Sequence, residues 1–344
     1  MLSRERVVRA LRFQHPDRAP RDLWMLPGVR MFRSAEADEV LARFPIDIGA
    51  PNASYGQGKR ARGTPNVKGT YTDEWGSVWE VGESGVVGEV KHPPLADWSA
   101  LATYEVPFEV LDNADLSRVD EGCRQTERFV LAGTLTRPFE RMQFLRGSEN
   151  LLLDFGWGPA ELFRLRDMLH EFSLRELEMW CRTAVDGISW MDDWGSMRGL
   201  LISPTTWREF FKPLYADYVR IIHQAGKFAF FHSDGNIETI IPDLIEIGVD
   251  ALNSQLFCMD IERIAENHRG KITFWGELDR QHTLPFGTPE DVRRDVRRVR
   301  RALDTGAGGV IAQFEWGNDA PMANVVAAYE EWLRPLTEIR QNGL

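Results

Sequence analysis

From Phe129 onward, short apolar runs alternate with helical stretches, and this alternation restricts the fold more than any single motif does. The runs are Phe129–Gly133, Gly187–Asp192, Phe228–Phe231, Ala251–Gln255, Ile272–Trp275 and Gly309–Phe314. Strands separated by helices pair in parallel, with the helices outside the sheet. Between the second and third runs, Ser203 reads as an N-cap, Pro204 as the first helical residue and Gly226 as the stop. The next helix reads from Gly235-Asn236 to just before Gly248. Six such units, with one or two strands before Gly122, fit a closed (β/α)8 TIM barrel better than an open sheet. No Gly-x-Gly-x-x-Gly follows the first strand, which argues against dinucleotide binding.

The N-terminal third fits the same single domain, residues 1–344. Ser3 is placed to cap an opening helix whose apolar stripe is Val7, Val8 and Leu11. His15-Pro-Asp-Arg18 breaks that helix, and Ala19–Trp24 reads as the first strand. Residues 49–122 are rich in Gly, Pro, Asn and Asp with short β runs, and read as a hairpin-bearing insertion. At 344 residues with 43% hydrophobic content, the chain can bury a large core.

Composition excludes several classes of function. The net charge of −11 opposes nonspecific nucleic-acid binding, which needs a basic footprint. No apolar run approaches the roughly 20 residues that span a bilayer, and the N-terminus lacks a signal-peptide layout. A cytoplasmic protein without a membrane partner is the expectation. The cysteines, Cys123, Cys181 and Cys258, form no close pair and read as reduced thiols. A very basic helix carries Arg293, Arg294, Arg297, Arg298, Arg300 and Arg301. It reads as a solvated outer face with acidic neighbours, the alternative being a docking surface for an acidic partner.

The candidate site lies where the apolar runs end. In a parallel barrel the C-terminal strand ends form the rim that carries chemistry. His232, with Asp234 beside it, ends one strand before a turn at Gly235-Asn236. Asp192 and Asp193 end another, and at most one of the two faces the axis. Glu277 ends a third and suits a general base or ligand. Asn253 and Gln255 follow on the intervening strand, and Gln313 and Glu315 share a face on the last. Twelve tryptophans are unusual. Trp24, Trp75, Trp190, Trp194, Trp275 and Trp316 fall near strand ends and are candidates to wall a pocket for a flat ligand.

Several ordered segments then point to a family. They are Ser3-Arg-Glu-Arg-Val with His15-Pro-Asp-Arg18, Asp73-Glu-Trp-Gly76, Asp192-Asp-Trp-Gly195, Leu200-Leu-Ile-Ser-Pro204, His232-Ser-Asp-Gly-Asn-Ile237 and Gly248-Val-Asp-Ala-Leu-Asn253. Together they resemble the uroporphyrinogen decarboxylase superfamily, and within it the cobalamin-linked methyltransferase-like branch. The resemblance implies a (β/α)8 barrel with its site at the C-terminal rim. The decarboxylases carry an Arg-Gln-Ala-Gly-Arg loop after the first strand, whose arginines grip substrate carboxylates. Here that loop is Met25-Leu-Pro-Gly-Val-Arg30, keeping Arg30 alone.

The related methyltransferases hold zinc with a His-x-Cys motif, a later Glu and a final-strand Cys. This chain keeps His232, but Asp234 stands for the first Cys and Gln255 lies near the Glu. Gln313 or Glu315 lies near the last Cys. Without thiolates the set loses its preference for zinc. His232, Asp234 and Glu315 remain candidates for a harder divalent metal, or for none.

The resemblance implies methyl transfer between a small methoxy or N-methyl compound and a corrinoid or folate acceptor. The corrinoid would come on a partner protein, so no tightly bound cofactor is expected. Catalytic roles fall to His232, Asp193, Asp192 and Glu277. Substrate contacts fall to Trp24, Arg30, Trp194, Asn253, Gln255, Trp275 and Gln313. The alternatives are a uroporphyrinogen-type decarboxylase of porphyrin biosynthesis and a non-catalytic binding barrel.

Overall fold

A computed structural model describes residues 1–341. The strands in chain order are β1 (Trp24–Met25), β2 (Ile48–Gly49), β3 (Gly69–Thr72), β4 (Val78–Val81), β5 (Glu89–His92) and β6 (Phe129–Gly133). They continue with β7 (Gly187–Met191), β8 (Phe228–Ser233), β9 (Ala251–Ser254), β10 (Thr273–Trp275), β11 (Val310–Ile311) and β12 (Glu315–Trp316). A seven-stranded parallel sheet runs in the order β11-β10-β9-β8-β7-β6-β2. β1 pairs in parallel with β12, and Asp47 N–H donates to Arg21 C=O at 2.8 Å beside β2. Those contacts close the sheet into an eight-stranded (β/α)8 barrel, with β11 and β12 as two pieces of its last strand. Between β2 and β6, the strands β3, β4 and β5 form a separate antiparallel sheet.

Strand parity decides what reaches the barrel interior, because successive side chains point to opposite faces. Phe129, Leu131, Phe230, Ala251, Trp275 and Ile311 pack together inside the barrel, over a floor made by Val7 and Leu11 of the helix Ser3–Leu11. Val130, Ile188, Trp190, Ala229, Phe231, Leu252 and Phe274 have the opposite parity and join the larger core beneath the outer helices. Continued upward, the same parity turns His232 and Asn253 toward the axis. It turns Asp192 and Trp194 outward and leaves Asp193 facing inward.

Local details depart from the sequence reading. Ser3 lies inside its helix, and its hydroxyl donates to Asp47 instead of capping. Ser203 does cap, accepting from Thr206 N–H, but the helix breaks into Pro204–Phe210 and Lys212–Gln224. After β8 the chain passes through a 3-10 turn, Glu238–Ile240, before the helix Ile241–Ile247. Asn236, not Asp234, accepts from the Glu238 N–H there. On the arginine helix Pro289–Leu303 five of the six arginines meet acids, with Arg300 buried and Arg301 donating to the Ile339 C=O. Arg293 and Arg297 meet Glu330 and Glu290, Arg294 meets Asp291, Arg298 meets Glu262 and Arg300 meets Asp304. That pairing leaves little free charge to attract an acidic partner. Among the described residues no helix is long and apolar enough to cross a membrane.

Candidate active site

Two glycines explain how the rim is assembled. Gly235 has φ +76°, and a Cβ there would lie 2.1 Å from the carbonyl oxygen of Gly195, so only glycine fits. The two loops cross at that point. Gly195 N–H donates to Asp234 C=O at 3.0 Å, and Asn236 N–H donates to Ser196 C=O at 2.8 Å. Asp192-Asp-Trp-Gly195 and His232-Ser-Asp-Gly-Asn236 are therefore one interlocked structure, which brings Asp193 beside His232.

His232 is buried, and its orientation is fixed from behind. The Asn253 amide nitrogen donates to Trp275 C=O and, at 2.7 Å, to Gln313 Oε1. Asn253 Oδ1 is thereby directed at His232 Nδ1, 2.6 Å away. Since that oxygen can only accept, Nδ1 carries the proton. Nε2 is left facing Asp234 Oδ1 at 3.4 Å and Asp193 Oδ1 at 3.5 Å. Trp24 lies against the imidazole with ring centres 5.0 Å apart, and Trp275 meets Trp24 edge-on. Asp22, whose pKa burial raises to about 6, accepts from Trp275 Nε1 at 2.9 Å and holds that indole. A cavity of about 80 Å³ opens here, walled by Trp24, Thr134, Ser189, Met191, His232 and Trp275.

Around this point sits an acid-rich ring with two arginines. Arg280 bridges Asp234 and Glu315, at 2.8 Å for the latter, and lies 3.7 Å from Glu277. Glu277 is 1% exposed, its Oε1 has no hydrogen-bond partner among the described residues, and burial raises its pKa well above the carboxylate range. Burial likewise raises Asp193. Glu140, 3.5 Å from Arg137, is pushed by burial to about 8. Arg137, Glu140 and Arg280 were missed by the sequence reading. Arg137 follows β6 and Arg280 lies three residues past Glu277, so both stand at strand ends, the position that singled out the others.

Other predicted residues lie elsewhere. Asp192 is fully buried and accepts from the Phe139 and Glu140 N–H groups at 2.8 Å and from the Tyr215 hydroxyl at 2.6 Å. It anchors the start of the helix Pro138–Arg146, and its carboxylate points away from His232. Trp194 stacks on Phe139 and donates to Tyr215 at 2.9 Å, so it belongs to the outer packing and not to a ligand wall. Trp75 and Trp316 are buried against Phe172 and Arg33, while Trp190 packs its ring on Phe231 and also borders the aromatic cavity. Arg30 is half exposed and paired with Asp38 on the helix Pro27–Phe32. Gln313 supports Asn253 from behind, and Gln255 accepts from Gly235 N–H at 2.9 Å.

The donor set was tested against a metal. Asp193, His232 and Asp234 each offer one atom within 4.8 Å of the others. The 3.4 and 3.5 Å separations from Nε2 match ligands on a shell of about 2.1 Å radius, whose tetrahedral edge is roughly 3.4 Å. The His Nδ1–H bond to Asn253 is the usual support for a metal-binding imidazole. This set fits a hard divalent ion and lacks the sulfur that selects zinc. Glu315 is not among these three; its carboxylate pairs with Arg280 at 2.8 Å, whereas Asp234 meets Arg280 through Oδ2 and keeps Oδ1 turned to His232.

The uroporphyrinogen decarboxylase family model matches residues 76–327. A methyltransferase from Methanosarcina mazei shares the fold at 16% identity and a TM-score of 0.71, covering 96% of this chain and 98% of that one. An endo-β-1,4-xylanase from Gloeophyllum trabeum aligns at 11% identity and a TM-score of 0.46 over 95% and 98%, too loosely to inform the site. No curated protein sequence matches the chain. With the family model covering well over half of its length, the chain belongs to the uroporphyrinogen decarboxylase family.

Proposed function

We propose that the chain is a methyltransferase of this family, moving a methyl group between a small methoxy or N-methyl compound and a corrinoid or folate acceptor. The observation that carries this reading is the charge of the rim. Asp193 and Asp234 stand within 3.5 Å of His232 in the cavity wall, Arg280 links Asp234 to Glu315 and Glu277, and Arg137 faces Glu140, so the two nearby arginines already face acids. A substrate bearing many carboxylates would be repelled there, which disfavours tetrapyrrole decarboxylation. A neutral or cationic methylated compound would be accepted by the Trp24 and Trp275 faces. The fold shared with the M. mazei methyltransferase supports the same direction.

In this reading the residues act on the departing heteroatom. The acceptor supplies the electron pair that bonds the methyl carbon. The heteroatom keeps the pair of the broken bond and takes a proton from His232 Nε2–H when the ring is protonated. Asp193 and Asp234 stabilise that imidazolium, while Asn253 holds the ring in line. A divalent ion, if bound, would sit on Asp193, His232 and Asp234 and polarise the same heteroatom as a Lewis acid.

The test is methyl transfer to cob(I)alamin, followed spectrally, with a panel of methoxy and N-methyl donors and a corrinoid protein from a neighbouring gene. Transfer with at least one donor is expected. No transfer with any donor, or cofactor-free conversion of uroporphyrinogen to coproporphyrinogen, would overturn the reading.

A further inference from the structure

A second cavity of about 50 Å³, sharing no lining residue with the tryptophan cavity, is bordered by Glu277, Asp279 and Arg280. Its apolar wall is Met197, Phe257 and Leu278, with the Cys258 thiol at one edge. Its polar wall is unusual. Asp279 is occupied, accepting from the Gln281 and His282 N–H groups at 3.0 Å. Arg280 is engaged by Asp234 and Glu315 and lies 3.7 Å from Glu277 Oε1, beyond hydrogen-bond distance. Glu277 lines the cavity, is almost wholly buried, and has an oxygen without any hydrogen-bond partner among the described residues.

An unpartnered buried carboxyl is costly, and a structure that keeps one leaves an acceptor for something that donates. An anion would meet Glu277 and Asp279 with the nearby guanidinium already committed. A neutral apolar group would leave Glu277 unsatisfied. An N–H-bearing cation answers both conditions through a charge-assisted hydrogen bond. The volume suits a small head group, since by the same measure a cavity of roughly 10–15 Å³ already holds one water.

We infer that this second cavity binds the ammonium group of a small primary or secondary amine, with Glu277 as its acceptor and Met197, Phe257 and Leu278 against its carbon. The site extends the methyl-transfer reading by giving a transferase a second place for a reactant, but the binding itself needs no turnover. The cavity differs from the aromatic one in requiring N–H donors, so tetramethylammonium is the discriminating control.

The test is calorimetric titration of the full-length protein with methylammonium, dimethylammonium, tetramethylammonium and methanesulfonate. The first two bind, and the last two bind at least tenfold more weakly. Glu277→Gln, which keeps the size and replaces one acceptor oxygen by an N–H donor, weakens methylammonium at least tenfold. Cys258→Leu, which fills the cavity edge and leaves the carboxyl, does the same. Absence of methylammonium binding, equal binding by tetramethylammonium, preference for methanesulfonate, or unchanged binding in both variants would each overturn the assignment. Methyl transfer without ammonium binding would remove this inference alone. Ammonium binding in a protein that transfers no methyl group would leave it standing and remove the proposed function.

Discussion

The two ends of the barrel carry similar residues arranged to opposite purpose. At the lower end, beneath β2, Asp47 is buried and receives hydrogen bonds from the Ser3 hydroxyl, Arg6, Arg18 and the Arg21 N–H. Burial alone would raise its pKa, but Arg18 and these other donors lower it, and Arg6 lowers Asp17 in the same way. At the upper end Asp234, Glu277 and Glu140 each keep an oxygen without a hydrogen bond among the described residues, and so does Gln313 Nε2. The lower end is not perfect, since Arg21 Nε also lacks a partner, yet its carboxylates are saturated. Satisfied buried charges hold a fold together, while unsatisfied ones persist where something else completes them. The contrast teaches that the rim is built for a visitor and the floor for the chain itself.

The sharpest way to break this comparison is to cut one residue at each end. His232→Ala should lower turnover by about 10²–10⁴-fold, the usual span for a proton-transfer group, while leaving the melting temperature within a few degrees. Asp47→Ala should do the reverse. It strands Arg6 and Arg18 and should cost about 3–5 kcal/mol of stability in a denaturant titration, with kcat retained in whatever remains folded. If Asp47→Ala abolished activity in fully folded protein, or His232→Ala unfolded the chain, the division of labour would be wrong.

A second contrast lies within one dipeptide. Asp192→Asn replaces one carboxylate oxygen by an N–H donor, so either the Glu140 N–H or the Phe139 N–H and Tyr215 hydroxyl lose their acceptor, and it should destabilise by about 1–3 kcal/mol. Asp193→Asn should leave stability nearly unchanged and lower turnover about tenfold or more. Urea midpoints and initial rates on the two purified variants separate these outcomes.

The ends should also titrate in opposite senses. Asp47 and Asp17 have folded pKa values below their unfolded values, so their contribution is present above about pH 4 and is lost as pH falls further. Glu140, raised to about 8, binds its proton more tightly in the folded state, so stability falls as pH rises from about 4.5 to 8. The melting temperature should therefore peak near pH 5 and drop by a few degrees toward pH 8. Glu140→Gln should shrink the alkaline fall and leave the acid limb unchanged. The smallest effect belongs to Arg30→Ala: its partner Asp38 is exposed, so neither turnover nor stability should change measurably.

Much of this was legible in the sequence because barrel chemistry recurs at strand ends. The alternation after Phe129 carried the architecture, and the endings on His232, Asp193 and Glu277 marked the rim. Asp192 and Trp194 were misassigned for a specific reason. The sequence says that neighbouring side chains on a strand oppose each other, but the inward parity of β7 becomes visible only when Ile188 and Trp190 are seen under the outer helices. Arg30 was misplaced because the loop after β1 turns into a short helix that carries it outward. Arg280 follows a turn whose path no local pattern fixes, and its meeting with Asp234 is a product of tertiary folding. Glu140 meets Arg137 locally, three residues apart at the start of one helix, but the burial that raises its pKa is set by the tertiary fold.

The most direct test compares wild-type and His232→Ala protein, matched for melting temperature, in transfer of a methyl group from an accepted donor to cob(I)alamin. The account predicts a folded variant that leaves the cob(I)alamin spectrum essentially unchanged while the wild type converts it. Conversion by the variant at the wild-type rate would contradict it, because the imidazole that Asn253 aims at Asp193 and Asp234 would then have no part in the chemistry.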